Sequence, residues 1–138
     1  MVFESGLEGD LLLLARLLFG AVLAFQGMNH FLNADQMAGY AGMKGVPLPG
    51  VAVVGTGLIL LGGGLGIVLG VFPTIAAGAL AVFFLVTTPL MHDFWAVDDE
   101  QAQDEMIQFL KNAELFGASV LFLAISGTEW AYSLGIGL

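Results

Sequence analysis

A chain that strings together 22 residues as apolar as Leu11 to Leu32 has few ways to fold. The run reads LLLLARLLFGAVLAFQGMNHFL. As a helix it would measure about 33 Å, which matches the hydrocarbon thickness of a bilayer. It is not apolar throughout. Arg16 lies inside it, and Gln26, Asn29 and His30 crowd its last turns. Lipid offers such groups no partner, so the rest of the chain must supply them.

Three further runs have spanning length, at about 51–69, 73–91 and 106–126. With the first, at 11–32, they predict an all-α integral membrane four-helix bundle with short connections, in one domain over residues 1–138. Composition agrees. The chain is 58% hydrophobic with a mean hydropathy of +0.92, more apolar surface than a domain of this size can expose to water. There are no cysteines, which excludes disulfides, thiolate metal sites, iron–sulfur clusters and CxxC redox pairs within the chain. Any electrons would travel on a bound cofactor or a partner. Twelve acids against three bases give a net charge of −9. That argues against nucleic acid and against docking on anionic lipid, and it implies an acidic aqueous surface suited to salt-rich surroundings. The leading MVFESGLEGD is acidic where a cleavable signal would be basic, so no such signal is expected.

Along the chain, Asp10 is the expected N-cap of the first span. A wheel at 100° per residue puts Arg16, Gly20, Leu23, Gly27 and His30 in one arc, with Gln26 at its edge. This small-and-polar stripe should face the bundle, leaving Leu12, Phe19 and Phe25 for lipid or other packing. Arg16 is close enough to the start of the span to snorkel. Residues 33–50 connect to the second span through a short helix over 36–43 with Asn33 or Asp35 as cap. Gly62, Gly66 and Gly70 recur every four residues, an expected glycine face for close helix approach, with Ala76 to Ala79 to meet it. Pro89 should kink the third span. Phe94 and Trp95 read as interfacial anchors. The acidic DDEQAQDE stretch, 98–105, reads as a solvated lead into the fourth span.

Four spans bring the end of span 1, the end of span 3 and the start of span 4 to one side of the membrane. Gln26, Asn29, His30, Thr88, His92, Asp93, Lys111, Asn112 and Glu114 then share a layer, with Arg16 alone near the other surface. Two histidines near carboxylates have the ligand types of a zinc, iron or manganese site, but no close-spaced ligand pair accompanies them, and interfacial histidines are the more economical account. Bis-histidine haem has the same weakness. A quinone asks for less, an apolar cleft and one or two hydrogen-bond donors. His30, His92, Lys111 or Asn112 can donate, Gln26 and Asp93 flank them, and Phe94, Trp95 and Phe109 can line the cleft. His92 beside Asp93 can pass a proton. Set against this is a satisfied polar network that only ties span ends together. Lys111 and Glu114, three apart, are expected to pair with each other.

These motifs together resemble a family. Arg16 followed by Gly20, the FQGMNHF end of span 1, the Gly-Val-Pro-Leu-Pro connection, the GGG…LG of span 2, His92-Asp93-Phe94-Trp95 and Phe109-Leu110-Lys111-Asn112 are similar to the DoxX family of small four-helix membrane proteins. The similarity runs from about Leu11 to Ser126, and the order of the motifs is its specific part. It implies a four-span bundle in the cytoplasmic membrane. Members are described as oxidoreductases or as subunits of a terminal quinol oxidase, and related DoxD proteins are associated with thiosulfate oxidation coupled to quinone. Members often carry a glutamate before the glycine pair of span 2 and a lysine near the end of span 1. This chain has no acid over 51–64 and has His30 instead.

Two functions follow. One is a small membrane subunit of a quinone-linked oxidoreductase system, partnered by lipid and by other membrane or redox subunits. The other is a non-catalytic assembly subunit or small-molecule-binding module, with unused glycine faces available for a homo-oligomer. A channel fits less well, because no continuous polar path joins Arg16 to the histidine layer.

Overall fold

Residues 2–138 are described by a computed structural model. They form five helices and no strand. Helix α1 spans Gly6–Leu32 and is interrupted by a π turn at Leu17–Ala21. A short α2, Ala34–Met43, follows. Then come α3, Pro49–Leu69, α4, Pro73–Met91, and α5, Asp99–Ile125. All but α2 are long and apolar enough to cross a membrane. The fold is therefore the all-α, four-span bundle that the hydropathy predicts.

Two helix starts differ from expectation. Helix α1 opens at Gly6, with Ser5 in the N-cap position and no side-chain cap bond, so Asp10 lies inside the helix rather than capping it. The acidic stretch is not a lead but the first turns of α5, where Asp99 and Glu100 face the positive end of the helix dipole.

The spans pack in chain order, α1 on α3, α3 on α4 and α4 on α5, while α2 lies over the start of α3. Leu23, Leu60, Ile67, Leu80, Phe84 and Phe122 are at the centre of the core. Because α3 is held between α1 and α4, it needs two close-approach faces. The first is Gly57 and Gly64 against α1. A Cβ at Gly64 would stand 2.7 Å from the Ala24 nitrogen, and one at Gly27 would stand 2.7 Å from the Gly57 oxygen. The second is Gly63 and Gly66 against Leu80 and Ala76 of α4. The face expected at Gly62, Gly66 and Gly70 is not one face. Gly62 looks into open space, and Gly70 ends α3 in the left-handed conformation with φ 68°. On α1 the wheel reads correctly. Arg16, Gly20, Leu23 and Gly27 are all buried, while Phe25 is 75% exposed to where lipid lies. Leu12, left over by the wheel, joins the core.

Arg16 does not snorkel. It is fully buried at the terminal end of the bundle. Its Nε donates to the Ile67 carbonyl at 3.0 Å and its Nη2 to Val68 at 2.6 Å. Nη1 donates to Ala131 at 2.5 Å, and Nη2 also reaches Tyr132 at 3.1 Å. The guanidinium stands 5.4 Å from the Trp130 ring centroid. One side chain thus satisfies the carbonyl end of α3 and holds the C-terminal segment across it. The segment then continues along the α3–α4 turn. Leu134 N donates to Leu69 O at 2.8 Å and Phe72 N to Ile136 O at 2.6 Å. A cleft of about 430 Å³ remains at this end, between the α3–α4 turn and the end of α5, lined by Gly70, Thr74, Ser126, Glu129 and Ser133.

Candidate functional site

The opposite end is open. A cavity of about 730 Å³ lies among α1, α3, α4 and α5, with α2 over it. Its wall is mostly apolar, from Val53, Phe83, Val86, Leu90 and Met91, and its polar groups include Asn29, His30, Thr56, Thr87, His92 and Asn112. Clefts of this size, apolar with a few directed polar groups, are the usual form of small-molecule sites.

His30 is fixed by α3. Its Nδ1 is 3.0 Å from the Val53 carbonyl and 3.1 Å from Thr56 Oγ1. Thr56 donates its own proton to Ala52 O at 2.7 Å. The network therefore assigns a proton to Nδ1, which donates to Val53 O, and leaves Nε2 for the cavity. His92 caps the end of α4. Its Nδ1 is buried without a hydrogen bond, 3.7 Å from Glu105 Oε1. Burial holds the ring below the ordinary histidine pKa, and the neighbouring Glu105 only partly opposes it.

The cover over the cavity is ionic. Lys44, at the end of α2, donates to Asp93 Oδ1 at 2.6 Å and to Glu105 Oε2 at 3.2 Å. Tyr40 donates to Glu105 Oε1 at 2.9 Å. Burial works against the Lys44 ammonium, but the hydrogen bonds to Asp93 and Glu105 outweigh it and raise its pKa. The same Lys44 bond lowers Asp93. Burial and the bond to Glu105 raise Tyr40. Together these four side chains tie α2 to the end of α4 and the start of α5.

Residues 11–93 match the DoxX family. The chain belongs to that family. Inner membrane protein YphA of Escherichia coli (strain K12) is 29% identical to it over 117 residues, covering 85% of this chain and 83% of that protein. No solved structure matches the chain. With four spanning helices, this DoxX protein is a multi-pass protein of the cell membrane.

Of the residues that the sequence singles out in this DoxX chain, His30, His92 and Asn112 meet at the cavity. Asp93 belongs to the cover instead, bound to Lys44. Gln26 and Lys111 do not line the cavity, and both are exposed. One residue from Asn112 turns Lys111 by about 100°. Thr88 is buried beside the cavity without lining it, its Oγ1 unpartnered. The pairing expected between Lys111 and Glu114 is not made. Phe94, Trp95 and Phe109 do not line the cleft. They stack edge to face on one another, with centroids 5.1 to 5.8 Å apart.

Sequence reasoning missed Tyr40, Lys44, Glu105 and Thr56. Tyr40 and Lys44 are four apart on α2, a spacing that puts both on one face and was there to be read. Thr56 is a single hydroxyl in a glycine-rich span, and Glu105 is one of five acids in a row of eight. Neither carries a local signal.

Proposed function

We propose that this DoxX protein is a small membrane subunit of a quinone-linked oxidoreductase system and that the cavity receives the quinone head group. One observation supports this above the others. Two imidazoles and an amide from three different spans converge on one mostly apolar cavity at a single end of the bundle. The residues suit a quinone or quinol ring. The Asn112 amide donates to a ring carbonyl, and Nε2 of His30 accepts from a ring hydroxyl. Val53, Phe83 and Leu90 exclude water from the ring. His92 takes up or yields a proton at its ring nitrogens, with Glu105 within 3.7 Å to favour the charged form. A quinone, when bound, supplies two-electron redox chemistry, and a partner subunit supplies or accepts the electrons.

The test uses protein purified in mild detergent. Its organic extract is expected to contain quinone. A short-chain quinone analogue at about a hundred times its Kd should stabilise the fold by about 2.7 kcal/mol. His30→Phe and Asn112→Leu should each abolish that rise. An extract without quinone, together with a melting temperature that no analogue moves, would end the proposal.

A second reading, a non-catalytic assembly or small-molecule-binding module, is favoured by the cover itself. Lys44, Asp93 and Glu105 satisfy one another and tie three helices together. His30→Ala and His92→Ala discriminate. Normal protein levels with lost respiratory function support the chemistry, and lost protein supports the structural role.

A further inference from the structure

Helix α5 is the least covered span. Only 11% of its apolar window is buried, against 33%, 39% and 33% for the other three. That window contains both Lys111 and Glu114, because any spanning stretch of α5 that avoids the acids at its start includes them. Their depth can be read from their neighbours. Glu105 stands level with His92 at the end of α4. Ser126 stands level with Thr74 at its start, to which it is hydrogen-bonded at 2.8 Å. At 1.5 Å per residue, Glu114 lies about 14 Å from the first level and about 18 Å from the second. It is near the bilayer midplane. Lys111 lies about 9 Å in. Both side chains are exposed, and neither has a hydrogen bond or ion pair among the described residues. A lysine at that depth can snorkel, but the short carboxylate at the midplane cannot.

The same face is shaped for another helix. Leu110, Ala113, Glu114, Gly117, Leu121 and Ala124 follow the three-and-four spacing of one helical stripe, and all six are exposed. Ala113 and Gly117 make a small-xxx-small pair, and a Cβ at Gly117 would meet nothing within 4 Å. Lys111 and Glu114 are opposite in sign and one turn apart. Lys111 flanks this stripe, about 60° around the helix from Glu114, so across a two-fold axis along the membrane normal the Lys111–Glu114 pair forms twice, once in each direction.

We propose that two copies of this chain pair α5 against α5, parallel in the bilayer. Ala113 and Gly117 form the close contact, and the Glu114 of each copy is held by the Lys111 of the other. The occupant is a second copy because the face is self-complementary in charge, and a different partner would need to bring its own matching pair.

The absence of cysteine makes the test clean. In phosphatidylcholine vesicles, Gly117→Cys treated with copper–phenanthroline should form a disulfide-linked dimer, while Val82→Cys, exposed on α4, should not. Lys111→Glu and Glu114→Lys, each leaving two like charges on the face, should weaken self-association about tenfold, the scale of interhelical polar contacts in membranes. Mixing the two variants should restore a one-to-one dimer, which pairing within a single helix cannot do. Melting temperatures of each variant report whether it has folded, and the cysteine variant retains both charges, so it tests the interface if the charge variants do not insert. A Gly117→Cys chain that cross-links no better than Val82→Cys, or folded charge variants that associate no better mixed than alone, would overturn the proposal.

Discussion

His92 shows how position alone changes a residue's chemistry. In the sequence it is a histidine beside an aspartate. In the fold, Asp93 is bound to Lys44, and the half-buried ring faces Glu105. Burial depresses its pKa below the ordinary 6.5, so the folded protein binds fewer protons than the unfolded chain just below that pH. The stability contributed by the neutral ring is then complete above 6.5 and is lost as pH falls through the depressed value. Asp93, also depressed, contributes above the usual carboxylate range and fails at still lower pH. Lys44, which is raised, contributes below 10.5 and fails only as pH rises through its higher folded value. The cover should therefore be firmest from neutral to mildly alkaline pH. Melting temperature followed against pH should show two acid steps, and His92→Gln should remove the first while leaving the second. An unchanged profile in that variant would mean that the histidine does not couple to folding.

Helix α3 shows what a composition leaves open. A glycine-rich span was evident in the chain, and so was its use for close packing. Which glycines touch was not, because a helix held on two sides uses two stripes rather than one. Gly64→Ala would push a methyl group into the backbone of α1 and should cost about 1–3 kcal/mol, the usual penalty of overpacking. Gly62→Ala meets nothing and should be neutral or slightly stabilising, since alanine is the better helix former. Thermal melting of the two variants in the same detergent separates them. Equal losses would place the contact face elsewhere. The π turn of α1 lies at the same crossing, with Gly20 against Gly64 and Val68.

The two ends of the molecule are built differently. At one, Arg16 ties the C-terminal segment across the end of α3, and at the other α2 with its ion pairs covers the larger cavity. Arg16→Met would leave the carbonyls of Ile67, Val68, Ala131 and Tyr132 without their donor. A loss of roughly 2–4 kcal/mol is expected. Removing residues 130–138 should cost a similar amount, because it takes away two of those bonds, to Ala131 and Tyr132, together with the tail's own backbone bonds to Leu69 and Phe72. The two changes combined should cost less than the sum of their separate costs, because the bonds to Ala131 and Tyr132 are counted in both. Full additivity, measured by chemical unfolding in detergent, would show that Arg16 and the tail act separately.

What the amino-acid sequence determined by itself was the solvent and the number of crossings. Lipid satisfies no backbone group, so four apolar runs of spanning length admit one secondary structure. It also determined which end of the bundle collects its imidazoles, since four crossings fix which span ends share a side. The tertiary structure alone decided which polar groups meet. Lys44, Glu105 and Tyr40 are brought together by two helices sixty residues apart, and a side chain on a helix turns by about 100° with each step, so Asn112 faces the cavity while Lys111 faces away. Hydropathy is a sum over a window and survives small errors of register. A binding site is a matter of single directions, and those exist only once the helices have packed.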